Sequence, residues 1–236
     1  MGLIELGELM MTSSERRLEL VSQNITNVST PGFKRSVSFD QTIDAASAAN
    51  TQRSAIASHP DFTQGALRQT GRPLDLAVSG DGFFMLRAED GRTLYTRNGQ
   101  FSRASDGRVV SAQGYTLQSA DGADVILRED PGEIVNDGTI LENGAPIARI
   151  GLYAPSDSAQ MQAIGGTLFS APASAMNEIG SPLLRQGMLE GANVDNASEM
   201  LQMMAAMRQA EAGARVVEAY DSLLGQSIST FGRGGA

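Results

Sequence analysis

The chain has 236 residues, 41% apolar and 19% charged, with a formal net charge of -9 and a sequence pI near 4.6. That balance is globular rather than disordered, and a single lysine leaves no basic patch, so nucleic acid and anionic membrane surfaces are excluded as partners. Cysteine is absent, which removes disulfide frameworks, thiolate metal sites and cysteine nucleophiles.

The first segment, Gly2 to about Val28, reads as a long helix. Ile4, Gly7, Met11, Ser14, Leu18, Val21, Ile25 and Val28 recur at the 3-4 spacing of a coiled-coil seam. Early acidic residues and the lack of an unbroken apolar run predict no cleaved secretory signal, and no stretch reaches the length of a membrane span. The helix should stop at Ser29-Thr30-Pro31-Gly32, where Pro31 biases Thr30 away from the helical region and Gly32 supplies a turn. Nothing nearby in sequence covers the stripe, so its partner is expected in another subunit.

From about Ser36 to Gln64 the composition shifts to Ala, Ser, Thr, Asn and Gln, which reads as an extended connector. His59, the sole histidine, has no second imidazole with which to share a metal.

The middle, about Gly65 to Leu184, alternates short apolar runs with turn residues. Asp90-Gly91, Asn98-Gly99, Asp106-Gly107, Asp121-Gly122, Asp137-Gly138 and Asn143-Gly144 are hairpin signals, because glycine takes positive φ at no steric cost. An antiparallel meander or small barrel-like sheet is predicted. The last helix starts near Asn196, after the candidate caps Asn193, Asp195 and Asn196. It is apolar on several faces: Met203, Ala206, Ala210, Gly213, Val217, Tyr220 and Leu224 form one, and Met200, Met204 and Met207 another. Such a helix must be covered on several sides, as in a tube or bundle. The fold class is therefore mainly β with flanking helices: a central antiparallel β domain between N- and C-terminal helices that form coiled coils.

No catalytic, cofactor or metal site emerges. Gly80-Asp81-Gly82-Phe83-Phe84 lacks the Lys-Ser/Thr and helix start of a phosphate loop, so it reads as a turn joining strands. Carboxylates sit mostly beside turn glycines, where they bond the local backbone. Arg16, Arg17 and Arg97 read as solvated or salt-linking residues. Three functions are left: a polymerising structural subunit, a secreted β-domain enzyme or sugar-binding module with helical oligomerisation ends, and a soluble regulator that caps other helices.

Residues 22–35, 75–84, 95–101 and 186–194, four blocks in order, resemble the rod and hook family of axial proteins of the bacterial flagellum. Ser22-Gln23-Asn24-Ile25-Thr26-Asn27-Val28-Ser29-Thr30-Pro31-Gly32-Phe33-Lys34-Arg35 is similar to its N-terminal signature. Asp75-Leu76-Ala77-Val78-Ser79-Gly80-Asp81-Gly82-Phe83-Phe84 and Tyr95-Thr96-Arg97-Asn98-Gly99-Gln100-Phe101 are similar to two blocks of its β domain. Gln186-Gly187-Met188-Leu189-Glu190-Gly191-Ala192-Asn193-Val194 resembles the lead-in to its last helix.

The resemblance implies a tubular filament with the terminal helices in an inner layer and the β domain outside. Residues 1–32 would be the N-terminal helix of the inner layer, 33–64 an extended connector, 65–185 the outer β domain and 186–236 the C-terminal helix. Assembly would use Ile4, Met11, Leu18, Val21, Ile25 and Val28, with Met200, Met203, Met204, Met207, Val217, Tyr220 and Leu224. The implied partners are other rod subunits, in homo- and hetero-assembly, and the flagellar type III export apparatus, with neither nucleic acid nor membrane insertion. The implied location is the basal-body rod across the periplasm. Length and the Arg208-Gln209-Ala210-Glu211 run, in place of the distal protein's Q-R-A-Y-E, favour the proximal rod over a distal rod or hook subunit.

Overall fold

The computed structural model describes residues 2–41, 55–128, 133–180 and 182–233; the centre of the connector, residues 42–54, lies outside them. The chain forms two compact units that interleave along the sequence. Met1–Thr26, Ser36–His59 and Asp195–Ala236 make a helical unit, and Asn27–Arg35 with Pro60–Val194 make a β unit.

The helical unit holds α1 (Leu3–Thr26), the strands β1 (Ser36–Gln41) and β2 (Ala55–Pro60), and α2 (Asn196–Arg233). At 1.5 Å per residue the helices are about 36 and 57 Å long. Asp195 caps α2, its Oδ1 accepting the Ala197 amide at 3.3 Å. β1 and β2 pair in a two-stranded sheet, so the expected extended connector is hydrogen-bonded at both of its described ends.

The two helices lie side by side and antiparallel, as their contacts show. Asn24 meets Glu199, Arg17 meets Gln209, and Gly7 meets Gly213 and Val217. A Cβ on Gly7 would lie 2.8 Å from Val217 Cγ2, and one on Gly213 would lie 3.1 Å from the Gly7 carbonyl oxygen. Small residues thus set the spacing of this pair. The expectation that only another subunit could cover the α1 stripe is corrected here, because α2 of the same chain covers it. Two complementary stripes on one chain associate without the translational cost that a second molecule must meet.

The β unit starts with β3 (Leu67–Gln69), β4 (Leu76–Val78), β5 (Phe83–Arg87), β6 (Thr93–Thr96), β7 (Phe101–Arg103), β8 (Val109–Ser111) and β9 (Thr116–Leu117). It continues through β10 (Glu133–Ile134), β11 (Thr139–Glu142), β12 (Ala145–Arg149), β13 (Leu152–Pro155), β14 (Gln162–Gly165) and β15 (Leu168–Ser170). It ends with β16 (Met176–Glu178), β17 (Leu184–Gln186) and β18 (Met188–Glu190). The main sheet runs β14-β15-β6-β5-β9-β8-β7, with β13 joining β5 to β16; β10-β11-β12 form a separate sheet. The last two strands return to the first two, β17 on β4 and β18 on β3, all antiparallel.

Adjacent residues of a strand face opposite sides, which explains the double phenylalanine at the start of β5. Phe84 enters the larger core with Leu86, Phe101, Leu117 and Leu152, its ring edge-on to Phe101 at 5.2 Å. Phe83 enters a second cluster with Tyr95, Met161, Phe169 and Met176. Phe62 packs edge-on against both Phe83 and Phe169 at 5.3 Å, tying the start of the unit to this cluster.

Four Asp-Gly turns share one geometry. In each, the residue two before the Asp bonds across to the residue two after it, and the Gly amide bonds back into the turn, as in Ala88–Arg92, Ala104–Arg108, Ser119–Ala123 and Val135–Thr139. The glycines take positive φ, the signature of a three-residue loop closed by a glycine bulge. Gly114 closes a fifth such loop that lacks the Asp. Asn98-Gly99 departs from the hairpin expectation: it joins β6 to β7, strands that are not neighbours in the sheet.

Candidate functional site

Among the described residues no group of three or more His, Asp or Glu side chains is placed to hold a metal ion, and no helix is long and apolar enough to cross a membrane. What the helical unit presents instead is a surface. On α1, Val21 is buried and Ile4, Met11, Leu18 and Ile25 are half-buried along the side that meets α2. On α2, Met203, Val217 and Tyr220 are half-buried, and Ala206 is buried. Met200, Met204 and Met207 are 54%, 47% and 48% exposed, with Leu201 and Leu224 also bare. The two faces read from the sequence therefore divide: the Met203 face closes the helix pair within the chain as far as Tyr220, with Leu224 left exposed beyond it, and the methionine face stays open. Val28, which belongs to the β unit, is exposed.

Asn24 fastens the helical unit near the end of α1. Its side chain is buried and matches the backbone of Ser36, accepting that amide and donating to that carbonyl, both at 2.9 Å. The same amide nitrogen donates to Glu199 Oε2 at 3.1 Å. One residue thereby joins α1, the start of β1 and the first turn of α2. Asn24→Ala is expected to lower the stability of the helical unit by about 1–3 kcal/mol, since it strands buried backbone groups. Thermal unfolding followed by far-ultraviolet circular dichroism measures this, and an unchanged midpoint would contradict the assignment.

In the β unit a buried charge cluster joins three of the four sequence blocks. Glu190 Oε1 accepts from Lys34 Nζ at 2.7 Å and from the Gly65 amide at 2.9 Å. Glu190 Oε2 accepts from Arg97 Nη1 at 3.2 Å, and its carbonyl accepts the Gly32 amide at 2.7 Å. The Lys34 and Glu190 side chains are fully buried, and Arg97 nearly so. Lys34 also donates to the Thr63 carbonyl at 2.7 Å, while the Arg97 guanidinium lies 5.1 Å from the centre of the Phe83 ring. Burial pushes the Lys34 ammonium below the ordinary lysine value, with Glu190 opposing the shift. Burial lowers Arg97 in the same way.

Around this cluster the backbone is clamped. Gly32 is left-handed at φ 69°, and a Cβ there would lie 2.2 Å from the Asn98 nitrogen. Asn193 Oδ1 accepts the Arg35 amide at 2.7 Å, and its Nδ2 donates to the Asp61 carbonyl at 2.7 Å. Of the remaining block residues, Phe33, Asp75, Gly82, Thr96 and Gly99 are buried, Asn27 and Val194 half-buried, and Gly80 exposed. The reading of Arg97 as a solvated or salt-linking residue resolves to the second. Sequence reasoning misses Lys34 and Glu190. The only signal for them is one lysine in a chain of many arginines, with an acid and an arginine in two of the blocks.

Comparison with known proteins follows the same blocks. Residues 77–150 match the family described as the flagellar hook protein FlgE/F/G D1 domain, and residues 185–230 match the flagellar basal body rod FlgEFG protein C-terminal family. The flagellar basal-body rod protein FlgG of Agrobacterium fabrum is 30% identical over 251 residues, covering 90% of this chain and 93% of its own. FlgF of Rhizobium meliloti is 31% identical over 229 residues, covering 92% of each chain. FlgF of Caulobacter vibrioides is 28% identical over 228 residues, covering 92% of this chain and 93% of its own.

Proposed function

We propose, from the premise that this chain belongs to the flagellar basal-body rod and hook protein family, that it polymerises through its helical unit into the proximal part of the rod. Its role as a structural subunit of the basal-body rod, rather than an enzyme, follows from the family itself. The carrying observation for polymerisation is the open face of α2. Met200, Leu201, Met204 and Met207 form an apolar strip that stays bare in the single chain, while the opposite face of the helix packs on α1. A neighbouring rod subunit, the same or a related one, covers that strip, and the helices of successive subunits form the coiled-coil inner layer of the tube.

The proximal assignment is supported by length. FlgF relatives take up 92% of this chain in alignments of 228 and 229 residues, whereas FlgG needs 251 to take up 90%, so the longer protein aligns only across insertions. The rod would cross the periplasm, reached through the flagellar type III apparatus. A strain lacking its rod gene provides the test. Expression of this chain should restore motility and basal bodies with complete rods in electron micrographs, and expression of a chain lacking residues 196–236 should not. Complete rods formed by the truncated chain would overturn the proposal.

A further inference from the structure

The chain passes between the two units four times, after residues 26, 35, 59 and 194, and three of these crossings bound the two segments that hold the charge cluster, 27–35 and 184–194. Residues 27–35 carry Lys34 and are followed by β1, while residues 184–194 carry Glu190 and are followed by α2. The two segments hold each other directly, through the Gly32 amide on the Glu190 carbonyl, Lys34 on the Glu190 carboxylate and the Arg35 amide on Asn193. Their strands are short, β17 and β18 having three residues each on equally short β4 and β3, and apolar packing fastens them at Leu184, which lies in the main core, and at Phe33, which is buried. Apart from Leu184, the buried members of the main apolar core lie within residues 76–152. One carboxylate is shared by two buried cations, with Asp61 and Asp81 as the outlying charges that also act on them.

We infer that the Lys34–Glu190–Arg97 cluster is a latch that holds residues 27–35 and 187–194 on the β unit, and that its opening frees both segments together while Leu184 and the main core stay folded. Two features produce this behaviour. Besides the buried Phe33 and Leu189, the contacts that the two segments share converge on one acid, so losing that acid removes their common anchor. A buried ion pair is also costly to break on one side, since the abandoned cations must find water. They reach it by undocking β18 from β3, which is a smaller change than unfolding the core. The latch thus sets whether the two segments leave the β unit from a fixed point or a free one.

The chain supplies its own reporter, because Lys34 is the sole lysine and its side chain is fully buried in the closed form. The full chain is exposed to an amine-reactive acylating reagent under native conditions, and labelling at Lys34 is followed by peptide mapping. Lys34 should label slowly, at a rate that rises only shallowly with urea, which marks local opening. Glu190→Gln should raise that rate roughly 10²-fold, with near-ultraviolet circular dichroism unchanged. Asn193→Ala, which removes clamps but no charge, should raise it by a smaller factor. Two results would overturn the latch. One is a labelling rate unmoved by Glu190→Gln and Asn193→Ala. The other is a urea slope equal to that of global unfolding, in the parent or in Asn193→Ala, which would make the cluster part of the ordinary core.

Discussion

Replacing Met200, Met204 and Met207 together by Gln should prevent polymerisation while leaving the isolated chain folded. Each of these side chains is about half exposed, and completing the burial of one contributes roughly 1 kcal/mol, half the worth of burying it fully. Together they account for about 3 kcal/mol per contact, a shift of roughly 10²-fold in the concentration at which polymer forms. The amides that replace them add a desolvation cost. Gln keeps the helix propensity and the length, so far-ultraviolet circular dichroism of the monomer should not change. Sedimentation of the polymer as a function of concentration measures the effect. Val217→Ala, on the face that meets α1, should mainly lower the melting temperature of the helical unit. Assembly of the triple variant at the parent concentration would show that the open methionine face is not the contact.

Gly99→Ala should be the most damaging small substitution in the β unit. A Cβ at position 99 would lie 1.6 Å from the Leu76 carbonyl oxygen, so the backbone of β4 or of the Tyr95–Phe101 block must move. Leu76 in turn bonds the Gly99 carbonyl through its amide at 2.9 Å and lies in the main core. A loss beyond about 4 kcal/mol is expected, enough to remove much of the stability of an ordinary domain. Gly91→Ala is the informative control. Gly91 takes φ 83° in an open turn, where an added methyl would meet nothing within 4 Å, so its replacement costs only the left-handed backbone penalty, about 1–2 kcal/mol. Urea unfolding followed by tyrosine fluorescence compares the two. Equal midpoints would mean that close approach is not what requires Gly99.

The Asn98-Gly99 pair also shows where local reading stops. As a dipeptide it is indistinguishable from a hairpin turn, and the neighbouring Asp90-Gly91 and Asp106-Gly107 are such turns. Gly99 has another reason to be glycine, the passage of β4 against its backbone, and that strand lies more than twenty positions earlier in the chain. The helix faces show a related limit. Periodicity places the stripes on α1 and α2, except for Val28 beyond the end of α1, but spacing carries no information about which stripe meets which. The pairing of α1 with α2 in one chain depends on both helices being long, antiparallel and small-sided where Gly7 meets Gly213.

Whatever depends on short-range physics is legible in the order of the residues. The two helices and the cap of the second, the glycine-closed hairpins and the mainly β middle all follow from patterns within a few residues. Ordered blocks along the chain also led to the family. Only the tertiary structure decided which face of α2 remains open, and that residues 27–35 belong with the β unit. It also brought Lys34, Arg97 and Glu190 to one buried carboxylate. Those residues are separated by 63 and 93 positions, the differences between their numbers. Charges so far apart in sequence have no local preference for one another, and the cost of burying them is offset only where the folded backbone has already fixed their distance.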